Sequence, residues 1–268
     1  MDNTSTVDLH TGRSMPIIGL GTWKLTDDTT GTVAEALDLG YPMIDTAVDY
    51  GTQPGIGAAF ERGGSNPKQT YLVSKVEEDE DAYEATKRNL RELGIGAIDL
   101  TLIHRPPPRG SGVDMWEGLI RARDEGLTTD IGVSNYSTDQ IEQISDATGE
   151  LPTVNQIEWT PFGWSQEMLD YCRSVGVAVQ AYSPLTRARR LDDSTLAEIA
   201  DSYGKTPAQV LLRWSLQVGA VPIPKANRHD HLEEDINIFD FEISDADMSA
   251  LNDLNEQWSA LGGRLQYT

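Results

Sequence analysis

"DAYEATKRNLRELGIGAIDLTLIH", residues 81–104, holds the reading that decides the fold. Its first fourteen residues begin on an acidic cap, carry apolar side chains three or four positions apart and stop at Gly94, which predicts an amphipathic helix. The last seven, "IDLTLIH" (98–104), form a short apolar run that predicts a buried strand ending on a histidine. Helix, short loop and strand in that order are the repeating unit of a parallel α/β sheet.

The unit recurs along the chain. Further candidate strands are "IIGLG" (17–21), "MID" (43–45), "YLVS" (71–74), "DIGVS" (130–134), "TVNQI" (153–157), "VAVQAY" (177–182) and "AVPIP" (220–224). Helical patterns such as "DMWEGLIRARDEG" (114–126), "STDQIEQISDATG" (137–149) and "SQEMLDYCRSVG" (165–176) lie between them, each with an acidic or hydroxyl start and a glycine stop. Eight such strands in 268 residues predict one (β/α)8 TIM barrel domain over residues 1–268, with "VDLHTGRSMP" (7–16) as a β-hairpin at the barrel bottom. A doubly wound sheet is the competing architecture, but "GLGTWKLTDD" (19–28) lacks its Gly-x-Gly-x-x-Gly turn.

Composition narrows the partners. A formal net charge of −22, from 43 Asp and Glu against 21 Lys and Arg, repels a phosphate backbone and argues against nucleic acid. With so few lysines, that balance also predicts a halophilic host, in which concentrated salt screens the carboxylates. One cysteine, Cys172, allows no internal disulfide, and His10, His104, His229 and His231 have no zinc-type spacing, so no metal is expected. No long apolar run or basic leader is present, which points to a cytoplasmic chain with no membrane partner.

In a parallel barrel, active sites gather at the C-terminal strand ends. Those ends carry Gly21-Thr22-Trp23, Asp45, Ser74-Lys75, His104, Ser134-Asn135, Gln156, Tyr182-Ser183 and Lys225. Asp45 alone could simply begin a turn or cap a helix. With Tyr50, Lys75 and His104 it forms an acid-base set: a tyrosine of ordinary pKa near ~10 is brought down by a neighbouring ammonium, the lysine needs a carboxylate, and the histidine can hold a substrate oxygen. A Schiff-base lysine is a competing use of Lys75, although Asp45 would oppose the pKa it requires.

"MPIIGLGTW" (15–23), "MIDTAVDYG" (43–51), "YLVSK" (71–75), "IDLTLIHRP" (98–106), "IGVSNY" (131–136), "PTVNQIEW" (152–159), "AYSPL" (181–185) and "VPIPKA" (221–226) together resemble the aldo-keto reductases, in order and across nearly the whole chain. "EGLTTDIGVSN" (125–135) and "HLEEDINIFDFEISD" (231–245) look most like the prokaryotic aldehyde and 2,5-diketogluconate reductase branch. The resemblance implies an NAD(P)H-dependent reductase of small aldehydes or ketones, with Tyr50 as proton donor, Asp45 and Lys75 tuning it and His104 orienting the carbonyl. It also implies NADPH, with NADH possible, held by Gly21, Thr22, Ser134, Asn135, Gln156, Tyr182, Ser183 and Leu185. The same resemblance places Lys225, Ala226, Arg228, His231, Glu234 and Asp235 at the adenosine phosphate end. A Ser-Asn pair can otherwise serve as a helix cap, as Ser137 does by its position. Some relatives serve as interaction or redox-sensing subunits, which is the alternative to turnover; a monomer or weak oligomer is expected.

This sequence departs from the family pattern at several positions. Ala226 and His231 stand where a serine and an arginine usually hold the 2′-phosphate, and Asp235 replaces an asparagine. Thr52-Gln53-Pro54 follows Tyr50-Gly51 in place of an Asn-Glu pair. Arg105 and the acidic "KVEEDED" (75–81) replace two tryptophans of the substrate wall, leaving Trp23 as a lining residue with Tyr50 and His104, and Trp159 or Trp164 as further candidates. Arg105 either recognises an anionic or hydroxylated substrate or pairs with the acidic loop. The short tail "EQWSALGGRLQYT" (256–268) argues for small substrates at an open site.

Overall fold

The structure, a computed structural model, describes residues 1–25, 27–63 and 69–268. A hairpin comes first: β1 (Thr6–Asp8) pairs antiparallel with β2 (Ser14–Pro16), turning at Gly12 with φ +79°. Eight parallel strands follow in chain order, β3 (Leu20–Gly21), β4 (Met43–Asp45), β5 (Tyr71–Val76), β6 (Ile98–Ile103), β7 (Thr128–Ser134), β8 (Val154–Glu158), β9 (Ala178–Tyr182) and β10 (Ala220–Pro222). Each pairs with its sequence neighbour, and the two ends meet where Gly19 and Gly21 N–H donate to Pro222 O (3.2 Å) and Pro224 O (2.8 Å). The sheet is therefore curled into the expected (β/α)8 barrel.

The helices are α1 (Thr29–Asp38), α2 (Gln53–Gly63), α3 (Ala82–Leu93), α4 (Val113–Asp124), α5 (Thr138–Thr148), α6 (Gln166–Val175), α7 (Ser194–Tyr203), α8 (Pro207–Gln217), α9 (His229–Ile236) and α10 (Asp245–Asn252). The opening segment explains α3: the Asp81 carboxylate accepts from Glu84 N–H, Gly94 closes the helix at φ +67°, and Ala82, Ala85, Thr86, Asn89, Leu90 and Leu93 form one buried face. α5 starts with a reciprocal capping box between Ser137 and Gln140, which leaves the preceding Ser134-Asn135 pair free for another role.

Predicted and observed strands differ at the seam. Only residues 20–21 of the expected 17–21 pair with β4, because Ile17 and Ile18 pack outward against Leu212, Leu216 and Ile238. β10 stops at Pro222 because Pro222 and Pro224 have no N–H to give a ladder. The hairpin does plug the bottom: Leu9 and Met15 join Met43, Leu100, Leu102, Val154 and Val221 inside the barrel. Arg13 fixes it there by a fork of hydrogen bonds to buried Asp130 (2.9 and 2.6 Å).

Gly21 sits at the closure with no room for a side chain, since a Cβ there would meet Ile223 O at 2.9 Å. Gly21→Ala is expected to open this seam and lower unfolding stability by about 1–3 kcal/mol in urea melts.

Candidate active site

A cleft of 660 Å³ opens at the C-terminal strand ends and is lined by Asp45, Tyr50 and His104 from the predicted set. Asp45 closes β4, a 3-10 turn over Val48–Tyr50 stopped by left-handed Gly51 presents Tyr50, and Lys75 lies within β5 with no exposed surface. The Lys75 ammonium donates to Asp45 Oδ1 (2.8 Å), Asp45 Oδ2 (2.9 Å) and Thr46 O (2.9 Å), which uses all three of its protons. An ammonium so held is a fixed cation and not a nucleophile, so the geometry speaks against a Schiff-base lysine.

Tyr50 lies over this pair, its ring centre 5.0 Å from Lys75 Nζ, and meets His104 edge to face at 5.7 Å. One expectation is corrected here. The Tyr50 hydroxyl is pushed well above its ordinary range, first by burial and then by the negative charge of Asp45 and Asp49. Among the neighbouring cations Arg105 opposes this rise, while Lys75 is paired with Asp45.

Residues behind the pair hold it still. Thr22 Oγ1 and Thr22 N–H both donate to Asp45 O (2.9 and 3.0 Å), and Gln156 Nε2 donates to Asp45 Oδ2 (2.7 Å). The replaced loop does similar work: Thr52 Oγ1 meets the Thr22 and Thr46 hydroxyls at 3.0 and 2.9 Å, and Gln53 Oε1 accepts from Ser74 Oγ (2.8 Å). Thr22 is therefore a buried support of Asp45, not a wall of the cleft.

His104 Nδ1 lies 2.9 Å from Glu77 Oε1, and burial, aided by Lys75, pushes its imidazole down to about 3. The ring is neutral at ordinary pH. Arg105 is encircled by carboxylates, with Glu78 at 3.4 Å, Glu77 at 3.6 Å and Asp49 at 3.8 Å. Arg105 also lines the cleft, so it pairs with the acidic loop while facing the site. Asp49, Glu77 and His104 each bring a donor atom within 4.8 Å of the others, but the Glu77–His104 hydrogen bond and the guanidinium already engage that cluster.

Ser134, Asn135, Gln156 and Tyr182 reach the cleft from the ends of β7, β8 and β9. Asn135 has a left-handed backbone (φ +62°), which aims its amide at His104 O (3.2 Å) and lets its Oδ1 accept from Tyr182 Oη (2.8 Å). Gly21, Ser183, Leu185 and Lys225 also line the cleft, as do three cations that sequence reasoning missed, Lys24, Arg187 and Arg189. Lys24 Nζ and the Arg187 guanidinium lie 4.4 and 4.1 Å from the centre of the Trp23 ring. The signal was present in "TRARR" (186–190), a basic run in an acidic chain.

The predicted adenosine-end residues separate in the structure. Lys225 is exposed and has no ion pair among the described residues. Arg228 is not a second free cation, because it forks onto Asp230 through Nε–Oδ1 (3.0 Å) and Nη2–Oδ2. Ala226 is packed in the core with Leu25 and Val33, His231 is exposed, and Glu234 accepts from Thr206 Oγ1. Asp235 is buried, and burial, with Glu234 nearby, pushes its carboxyl up to about 8.

Trp159 and Trp164 are core residues, packed with Phe162, Trp214 and Tyr267, and do not line the cleft. The tail supplies Leu261 and Gln266 instead. It is fastened by buried Glu158, which accepts from Ser259 Oγ and Ala260 N–H, both at 2.6 Å. A glutamate directly after a predicted interior strand was the available sign.

Similarity to known proteins agrees with this architecture. The model of the aldo/keto reductase family matches residues 17–256. Aldo-keto reductases of Mycobacterium sp. strain KMS and Mycobacterium leprae are each 38% identical, over 262 and 256 residues; these cover 96% and 93% of this chain and 95% and 91% of theirs. The crystal structure of an aldo/keto reductase from Brucella melitensis matches with a TM-score of 0.88 at 34% identity, covering 94% of this chain and 99% of its own. A Bombyx mori aldo-keto reductase in complex with NADP matches with a TM-score of 0.91 at 29% identity, over 98% and 96% of the two chains. The chain belongs to the aldo/keto reductase family, and is thereby an NAD(P)H-dependent oxidoreductase acting on carbonyl compounds.

Asp235 yields a stability prediction. Its folded carboxyl titrates at about 8 against an ordinary 3.8, so between those values the folded chain holds a proton that the unfolded chain has lost. Stability falls with rising pH through that window. Asp235→Asn removes the penalty, and its gain in Tm over the native chain should grow from about 4 to about 8 and then level off.

Proposed function

We propose that the protein reduces small, uncharged aldehydes or ketones to alcohols, with Tyr50 as the proton donor. The observation that carries this reading is the placement of Tyr50 between a fully engaged Lys75–Asp45 pair and a neutral His104 on one cleft wall. A phenol pushed upward by burial keeps its proton at neutral pH and releases it only to a strong base, such as the alkoxide that forms when a carbonyl carbon gains hydride. Lys75 and Asp45 hold the local field steady during that transfer, and His104 steers the oxygen toward Tyr50.

The cleft suits a nicotinamide dinucleotide. Ser134, Asn135 and Gln156 offer amide-matching groups beside the Tyr182 ring, and Lys24, Arg187, Arg189 and Lys225 offer cations to phosphates. When bound, the reduced nicotinamide supplies the hydride. NADPH is the proposed cofactor, with NADH accepted because Arg228 is tied to Asp230 and His231 is a weak substitute for a guanidinium.

Substrate charge follows from the wall near His104. Arg105 lines the cleft there, and its charge is matched from behind by Asp49, Glu77 and Glu78, which do not line it, so a small uncharged carbonyl is the proposed substrate. The net charge of −22 supports work in concentrated salt.

Turnover is tested by loss of reduced-nicotinamide absorbance against neutral aldehydes and keto acids of matched size, in high salt. Neutral carbonyls should be preferred, and Tyr50→Phe should lower kcat by about 10²–10⁴-fold while dinucleotide still quenches tryptophan fluorescence. Full activity in Tyr50→Phe would remove it from the donor role. Asp230→Asn, by freeing Arg228, should raise the NADPH to NADH ratio of kcat/KM by roughly tenfold, equivalent to about 1.4 kcal/mol.

A further inference from the structure

Glu77 follows the buried end of β5 and approaches His104 directly, with Oε1 2.9 Å from Nδ1. That ring nitrogen is taken; Nε2 has no protein partner among the described residues, on a side chain that lines the cleft with Tyr50. A neutral imidazole carries one proton, and an ionised carboxylate can only accept. Opposite an ionised Glu77 the proton must therefore sit on Nδ1, and Nε2 is a bare acceptor. A bare nitrogen repels a carbonyl oxygen.

We propose that Glu77 is a positioning residue that sets the tautomer of His104, so that His104 can hold a carbonyl oxygen only when the Glu77–His104 pair carries one proton more than its lowest state. This rests on the carbonyl-reductase reading above. With that extra proton the Glu77 carboxylic acid donates to Nδ1, and the ring proton moves to Nε2, from which it donates to the substrate oxygen. No bond to Glu77 or His104 is made or broken in turnover; Tyr50 alone delivers a proton to product. In the opposite direction the bare Nε2 is the useful state, because it accepts from an alcohol hydroxyl.

The surroundings displace the Glu77 carboxyl upward from its ordinary value. Burial raises the Glu77 carboxyl, Glu80 adds to this, and Arg105, Lys75 and Glu78 oppose it. Burial and then Lys75 disfavour imidazolium, with Arg105 acting in the same sense and Asp49 and Asp45 opposing. Asp49 Oδ1 stands 3.8 Å from Nδ1, too far to replace the Glu77 contact. The extra proton therefore resides on the glutamate, and the reducing form persists to higher pH than an isolated carboxyl would allow.

The test is the pH profile of kcat/KM in both directions for the native chain, Glu77→Gln and Glu77→Leu, together with nitrogen-15 NMR of the histidine rings. His104 would be assigned from its loss in His104→Ala. The native chain should lose reduction by about tenfold per pH unit above the pair's pKa and gain alcohol oxidation over the same range. Glu77→Gln, whose amide can donate to Nδ1 without titrating, and Glu77→Leu should both lack this limb and retain reduction above it. A limb from Tyr50 remains at more alkaline pH in all three. In the NMR spectrum the native His104 should change from the Nε2–H to the Nδ1–H tautomer as pH rises, and the variants should stay Nε2–H. An unchanged limb in both variants, or a native His104 held as Nε2–H throughout, would overturn the assignment of Glu77. Absence of turnover in the native chain at every pH would instead overturn the reductase reading, while the NMR result would still report on the tautomer.

Discussion

The buried ion pair between Lys75 and Asp45 is the constraint on which the rest of the site depends. Both groups are removed from water, and leaving either without its partner typically costs about 3–5 kcal/mol. The barrel meets that demand from three strands at once: β4 brings the carboxylate, β5 the ammonium and β8 the Gln156 amide, with Thr22 and Thr46 closing the remaining contacts. Tyr50 follows Asp45 by one short turn, so the geometry that satisfies the pair also sets the phenol at the cleft floor. A charge pair that a packed core would otherwise exclude is thus retained directly beneath the Tyr50 ring.

The barrel was legible in the sequence because its units are local. Asp81 and Gly94 mark the ends of α3 by their own backbone chemistry, and an apolar run as short as 98–103 has few other uses between two helices. The seam was less legible: Ile17 and Ile18 read as strand residues but serve an outward contact, which depends on α8 and on Ile238 far along the chain. Asp45, Tyr50, Lys75 and His104 were readable as strand-end groups. Their electrostatics were not, since the upward displacement of Tyr50 comes first from burial and then from the charges of Asp45 and Asp49, and burial is set by tertiary structure.

The same limit applies to every paired charge around the cleft. Arg228 read in the sequence as an available cation, yet it is held by a carboxylate two residues away, and Arg105, read as either a substrate contact or a partner of the acidic loop, pairs with carboxylates of that loop. Glu158 lies just past the predicted strand, and only the return of the tail over β8 explains a buried carboxylate there. In a chain with twice as many acidic as basic side chains, an arginine's neighbours decide its use, and those neighbours are set by tertiary structure.

The most direct measurement of the central claim compares turnover and unfolding stability in Lys75→Met and in the double variant Asp45→Asn/Lys75→Met, with NADPH and a small neutral aldehyde. The single change leaves a buried carboxylate alone, and the second removes that charge, so stability should largely return in the double variant. If the pair serves catalysis by its field on Tyr50, turnover stays lower than native by about 100-fold or more in both. Turnover that recovers together with stability would contradict the account, and would make the pair a structural element of the barrel alone.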